Sequence, residues 1–151
     1  MTQPSDDGER RIVVGVDGSA PSQAALAWAV KQAALTGAVV DAVIAWEVPA
    51  NYSFLVQVPV DINYADIAAQ VVTDAIAEVS GPGEQVKIRS MPTEGSPARV
   101  LLDASKGAEL LVVGFRGHGG FTEALLGSVS QHCVHHATCP VVVIRHPAPG
   151  P

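Results

Sequence analysis

Gly114, Gly117, Gly119, Gly120 and Gly127, the last followed at once by Ser128, fall within one stretch, LLVVGFRGHGGFTEALLGSVS at residues 110–130. Glycine leaves backbone N–H groups unshielded and lets the chain take positive φ, so a stretch of this kind suits wrapping an anion. Leu110 to Val113 before it is a continuous apolar run, the pattern of a strand buried on both faces of a parallel sheet. Ser128 stands where a second helical pattern begins, in the place of a cap. A helix N-terminus presents free N–H groups and the positive end of its dipole, so strand, glycine loop and helix start together compose a phosphate cradle. The plain alternative is a glycine-rich connection with a serine cap, yet ordinary strand-to-helix connections need only about 2–6 residues.

The spacing carries a resemblance. Gly114-x-x-Gly117, nine residues, then Gly127-Ser128 is similar to the nucleotide-binding signature of the universal stress protein family. Residues 11–24, RIVVGVDGSAPSQA, resemble that family's first strand and turn, and residues 139–145, CPVVVIR, its last strand, so the likeness covers roughly residues 11–146. The resemblance implies that Gly114, Gly117, Gly127 and Ser128 contact phosphates, with the Val129 amide and Ser130 assisting. It places Asp17 near the adenosine, where a carboxylate accepts ribose or base hydrogen bonds; otherwise Asp17 is a turn aspartate beside Gly18. It sets Gly15, Trp46 and Val113 along the adenine side. Trp46 stands where a smaller aliphatic residue is common and either stacks on adenine or fills the pocket. Phe115 replaces a small, often hydroxylated residue, which removes a possible contact and leaves the amide. Arg116 and His118 could each reach a phosphate, although His118 reads better as a flexible, exposed side chain. The implied ligand is ATP with Mg or Mn at the phosphates, and the implied assembly is a homodimer through the last strand, Val141 to Arg145.

Other chemistries lack their signatures. There is no G-x-G-x-x-G fingerprint, no G-x-x-x-x-G-K-[ST] loop and no G-x-S-x-G elbow. His132, Cys133, His135, His136 and Cys139 form one tempting metal cluster. His132 and His136 share a helix face, but Cys139 lies beyond the helix beside Pro140 and no distal ligand pair completes a four-ligand set, so these read as structural residues. Glu123 is a loop carboxylate without a clear role as general base, which makes ATP hydrolysis a slow side activity at most. The leading functional expectation is a nucleotide-dependent regulatory or interaction module in the stress response, with slow hydrolysis or a nucleotide-free dimeric module as alternatives.

The rest of the chain must hold these residues in place. With 151 residues, 48% of them apolar and 16% charged, one core covered by helices is expected. Net charge is −6 and the basic residues form no stripe, against a nucleic-acid surface. No apolar run approaches the roughly 18 residues of a membrane span, and the acidic N-terminus is unlike a signal peptide, so a cytoplasmic protein with reduced thiols is the reading.

Apolar and turn signals alternate along the chain. After a polar, disordered segment at residues 1–10, strands are expected at 11–16, 39–46, 85–91, 110–113 and 141–145, with helices from about 20 to 36, 64 to 79, 97 to 106 and 128 to 137. Ser19 suits the first helix's N-cap and Pro21 its first turn, and Gly37 ends it. Residues 47–63 make a long loop, and residues 147–151 a loose Pro-rich tail. Strands alternating with helices imply right-handed crossovers and a doubly wound parallel α/β sheet. The strand order 3-2-1-4-5 comes from the family resemblance, and it sets Asp17 and the glycine loop at one crevice.

Overall fold

The computed structural model describes residues 8–48, 62–83, 85–116 and 126–145. Strands β1 (Arg11–Gly15), β2 (Val39–Trp46), β3 (Ile88–Glu94), β4 (Leu110–Gly114) and β5 (Val141–Ile144) alternate with helices α1 (Ala20–Thr36), α2 (Tyr64–Val79), α3 (Pro97–Ala104) and α4 (Ser128–His136). The five strands are parallel in the order β3-β2-β1-β4-β5. Helices α1 and α2 cover one face of the sheet, and α3 and α4 the other.

Alternation along the strands builds two cores. Ile12, Val14, Val40, Ala42, Ile44 and Val112 point to α1 and α2, where Leu26, Ala29 and Val72 meet them. Val13, Val43, Leu111 and Val113 point the other way, to Val100, Leu101 and Cys133. Since β1 and β4 are buried on both faces, their unbroken apolar runs are explained without a membrane. No described helix is long and apolar enough to cross one.

Local chemistry sets the ends of the helices. The Ser19 hydroxyl accepts from the Ser22 N–H at 3.3 Å and caps α1, which Gly37 closes in the left-handed conformation at φ 82°. Asn63 caps α2 by accepting from the Asp66 N–H at 3.0 Å. The third strand begins three residues later than its pattern predicts and runs through Pro92. Pro92 is tolerated because β3 is an edge strand, where a missing donor breaks no ladder on the open side. Helix α3 stops at Ala104, short of Lys106, where the Ser105 N–H turns back to Leu101 and Asp103. Of the expected polar tail, Glu9 pairs with Arg89 at 3.5 Å and the Arg10 carbonyl accepts from Val39 N–H at 2.9 Å. Residues 1–7, most of the 47–63 loop and the C-terminal tail lie outside the described residues.

One polar group breaks the apolar pattern of β2. Asp41, 2% exposed, accepts from Arg89 Nε at 2.6 Å and Nη2 at 3.2 Å and from Arg11 Nη1 at 3.4 Å. Arg11 also donates to the carbonyls of Ala104 at 3.2 Å and Lys106 at 2.8 Å, so the same cluster fastens the end of α3 to the sheet.

Candidate functional site

The switch point lies between β1 and β4, where the strand order reverses and both chains leave the sheet at its carboxyl edge. From β1 the chain turns through Asp17 and Gly18 into α1. Asp17 Oδ1 accepts from the Ser19 N–H at 2.9 Å and from the Ser19 hydroxyl at 2.5 Å, while the Asp17 N–H donates to Ser22 Oγ at 3.1 Å. Asp17 thus braces the turn into α1 and is exposed at the crevice.

From β4 the chain reaches Phe115 and Arg116. Gly117, with His118, Gly119, Gly120 and Glu123, lies outside the described residues. The stretch returns at Leu126, and the Gly127 N–H donates to the Phe115 carbonyl at 2.9 Å, which brings the helix start back to the strand end. Gly127, not Ser128, is the N-cap of α4, because its carbonyl accepts the first intrahelical bond, from the Gln131 N–H at 2.8 Å. Ser128 is the first helical residue and Val129 the second. Among the described residues no side chain caps this helix, as none caps α3, so its leading N–H groups have neither a described side-chain acceptor nor an intrahelical one. That is the condition under which a helix start receives an anion. Ser130 is buried and its hydroxyl donates to the Gly114 carbonyl at 2.5 Å, locking α4 onto the end of β4.

Not every predicted residue shares the crevice. Gly15 and Val113 face the α3 and α4 layer, where a Cβ on Gly15 would meet Leu101 Cδ1 at 2.8 Å and Val113 is 3% exposed. Trp46, at the end of β2, packs with the opposite cluster beneath α1 and α2. Gly15, Val113 and Trp46 thus do not form one wall, because Trp46 falls on the alternate phase of its strand. Gly114 has its own reason to be glycine: a Cβ there would lie 2.7 Å from the Pro21 carbonyl carbon. The carboxyl edge can admit α1 so close to β4 only because that side chain is missing. Nothing in the sequence flagged this contact, since it joins residues 93 positions apart in different elements.

The chain matches the Universal stress protein family over residues 9–145. It belongs to the universal stress protein family. A universal stress protein of Mycolicibacterium smegmatis is 39% identical over 146 residues, and one of Mycobacterium tuberculosis is 37% identical over 143. These alignments cover 91% and 89% of this chain but 48% and 47% of the relatives, so the chain spans about half the length of the curated relatives it matches. Among solved structures, UspA from Lactobacillus plantarum superposes with a TM-score of 0.70 at 26% identity, covering 92% of this chain and all of that one. A universal stress protein in complex with cAMP gives 0.68 at 24% identity, covering 92% and 98%. An Arabidopsis thaliana family protein with AMP bound gives 0.60 at 20%, covering 92% and 93%.

In this universal stress protein the histidine and cysteine cluster is divided by the helix that carries it. His132, His135 and His136 lie on the exposed side of α4, with the His132 and His136 rings 4.6 Å apart, whereas Cys133 is fully buried against Val13 and Leu111. Burial, with a smaller contribution from nearby Cys139, pushes the Cys133 thiol up to about 11 from 9.0. Burial also raises Cys139, less buried and opposed by its hydrogen bond with Ser105. Because the folded state keeps the Cys133 thiol neutral, this contribution to stability is complete below pH 9 and is lost between about pH 9 and 11, as the unfolded chain gains the thiolate. Urea midpoints should therefore fall over that range in wild type and fall less in Cys133→Ala. Iodoacetamide at pH 8 should label Cys139 first and Cys133 only on unfolding.

Proposed function

We propose that this chain binds ATP at the carboxyl edge of the sheet, with Mg or Mn carried by the phosphates, and works as a nucleotide-dependent regulatory or interaction module. The uncapped start of α4, held beside the end of β4, is the observation that carries this reading. The N–H groups of Ser128 and Val129 would receive phosphate oxygens, with Gly117 and Arg116 completing the cradle and Asp17 and Gly15 beside the adenosine. Relatives of the same fold captured with cAMP, AMP and dAMP lend support to an adenine nucleotide. Glu123, the loop carboxylate weighed as a general base, lies outside the described residues, and slow hydrolysis stands as the second reading.

Ser128→Pro tests the cradle cleanly. Proline is favoured at the first helical position, and Gly127 already has the extended conformation, φ −64° and ψ 157°, that must precede one. The substitution removes the N–H and the hydroxyl while preserving α4. Calorimetric titration with magnesium and ATP should show affinity lower by about 1.5–3 kcal/mol, the contribution of a hydrogen bond to a charged group. Equal affinity in the variant, with an unchanged circular dichroism spectrum, would refute the cradle. No heat and no thermal shift for wild type at millimolar ATP would favour a nucleotide-free module.

The same reading makes the chain a homodimer through β5. Its residues Val141–Ile144 form an edge, each half-buried in the single chain. The carbonyls of Pro140 and Ile144 accept from Leu111 and Phe115, so those of Val141 and Val143 point to the open side. An apolar edge with free donors and acceptors invites antiparallel pairing with its own copy. Light scattering should give twice the chain mass for wild type. Val143→Pro deletes an outward donor without touching the bonds to β4, and it should shift the mass to that of one chain. A monomeric wild type at micromolar concentration would count against the pairing.

A further inference from the structure

Arg145 lies outside the glycine signature, yet it stands beside the proposed cradle. Its guanidinium carbon is 4.1 Å from the centroid of the Phe115 ring, inside the roughly 6 Å over which a cation is attracted to a π face. Phe115 is itself held on both sides. Its N–H donates to the Ile144 carbonyl at 2.8 Å and its carbonyl accepts from the Gly127 N–H at 2.9 Å. The ring that carries the guanidinium thus belongs to the residue joining the end of β5 to the N-cap of α4. Arg145 is exposed, and no carboxylate among the described residues forms an ion pair with it.

We propose that Arg145, seated on Phe115, takes the terminal phosphates of the bound nucleotide and so sets a preference for triphosphate over monophosphate. The proposal rests on the nucleotide reading above and adds the group that distinguishes phosphate number. The strand order supplies the direction. The residues assigned to adenosine, Gly15 and Asp17, end β1; the cradle follows β4; Arg145 follows β5, the next strand outward. Neighbouring strands lie about 4.8 Å apart, so β1 and β5 are separated by roughly 10 Å. A nucleotide with its adenosine at β1 and its first phosphate at Ser128 extends its remaining phosphates toward β5. A guanidinium lying flat on a ring keeps its N–H donors at the rim, available in the plane for phosphate oxygens. Phe115 therefore replaces a lost hydroxyl contact with a platform for a cation.

The test compares ATP with AMP, each with magnesium, by calorimetry on four full-length proteins: wild type, Arg145→Ala, Phe115→Leu and Arg10→Gln. Arg10 pairs with Glu109 at 3.9 Å at the amino ends of β1 and β4 and controls for net charge. Arg145→Ala should weaken ATP binding about tenfold, equivalent to about 1.4 kcal/mol, and AMP binding by less than about threefold. Phe115→Leu, which keeps every charge, should move ATP affinity in the same direction by about threefold or more, since the platform contributes roughly as much as an exposed cation–π pair. Arg10→Gln should change neither. If Arg145→Ala binds ATP as wild type does, or loses ATP and AMP equally, the assignment of Arg145 fails and the nucleotide reading stands. If wild type binds neither nucleotide, the nucleotide reading itself fails.

Discussion

Replacing Asp41 with alanine should destabilise the fold by about 3–5 kcal/mol, the range for removing one partner from a buried ion cluster. Asp41 is 2% exposed in the second strand and faces α3, with Arg89 and Arg11 converging on its carboxylate. The Asp41 hydrogen bond is the largest influence holding the Arg89 guanidinium above its ordinary range, which shows how closely the two groups are matched. Without the carboxylate, two guanidiniums that are 22% and 34% exposed are left facing one another across an apolar wall. Arg11 would then swing outward and release the Ala104 and Lys106 carbonyls at the end of α3. Urea denaturation followed by circular dichroism measures the loss. Asp41→Asn, which keeps the shape and one acceptor, should fall between wild type and alanine. A midpoint for Asp41→Ala that corresponds to less than about 1 kcal/mol would mean that the cluster contributes no more than a surface pair does.

The contrast between Asp41 and its neighbours shows what could be read in advance. Val39, Val40, Val43 and Ile44 announce a buried strand, and Ser19 and Pro21 mark the start of the first helix in the sequence. Asp41 interrupts the run without any local sign that two arginines, 30 and 48 positions away, will meet it. The third strand, expected at 85–91, lies at Ile88–Glu94, and its run through Pro92 suits only an edge, a position that topology sets and local sequence does not show. The strand order likewise came through the glycine spacing and its family likeness, since alternation of strand and helix fits several orders. At the site, the return of the chain to α4 beside β4 was legible in the glycines and Ser128. The identity of the cap was not, because Gly127 and Ser128 are both acceptable caps and the choice is made by which carbonyl reaches Gln131. Trp46 was set with Gly15 and Val113 through the family pattern, although strand phase puts it on the other face.

Gly114→Ala should cost about 3 kcal/mol, the upper part of the range for forcing an added group into a packed site. The added Cβ would come within 2.7 to 2.8 Å of three atoms of Pro21, two of them backbone, so no rotamer change relieves the contact. The first turn of α1 would have to move away from β4, and with it the Ser19 cap and the Asp17 turn at the crevice. Gly15→Ala provides the comparison. Its new Cβ would meet Leu101 Cδ1 at 2.8 Å, the far end of a flexible side chain, so that variant should lose only about 1 kcal/mol. Both variants are measured by urea denaturation in the absence of nucleotide. This condition separates two reasons for a glycine at position 114. If glycine is needed there for helix packing, Gly114→Ala loses stability before any ligand is added and loses more than Gly15→Ala. If it is needed only so that a phosphate can approach, the ligand-free variant should unfold at the wild-type urea concentration while its affinity for ATP falls. The Pro21 contact assigns the first reason to Gly114, so the phosphate contact proposed for this crevice falls to the start of α4.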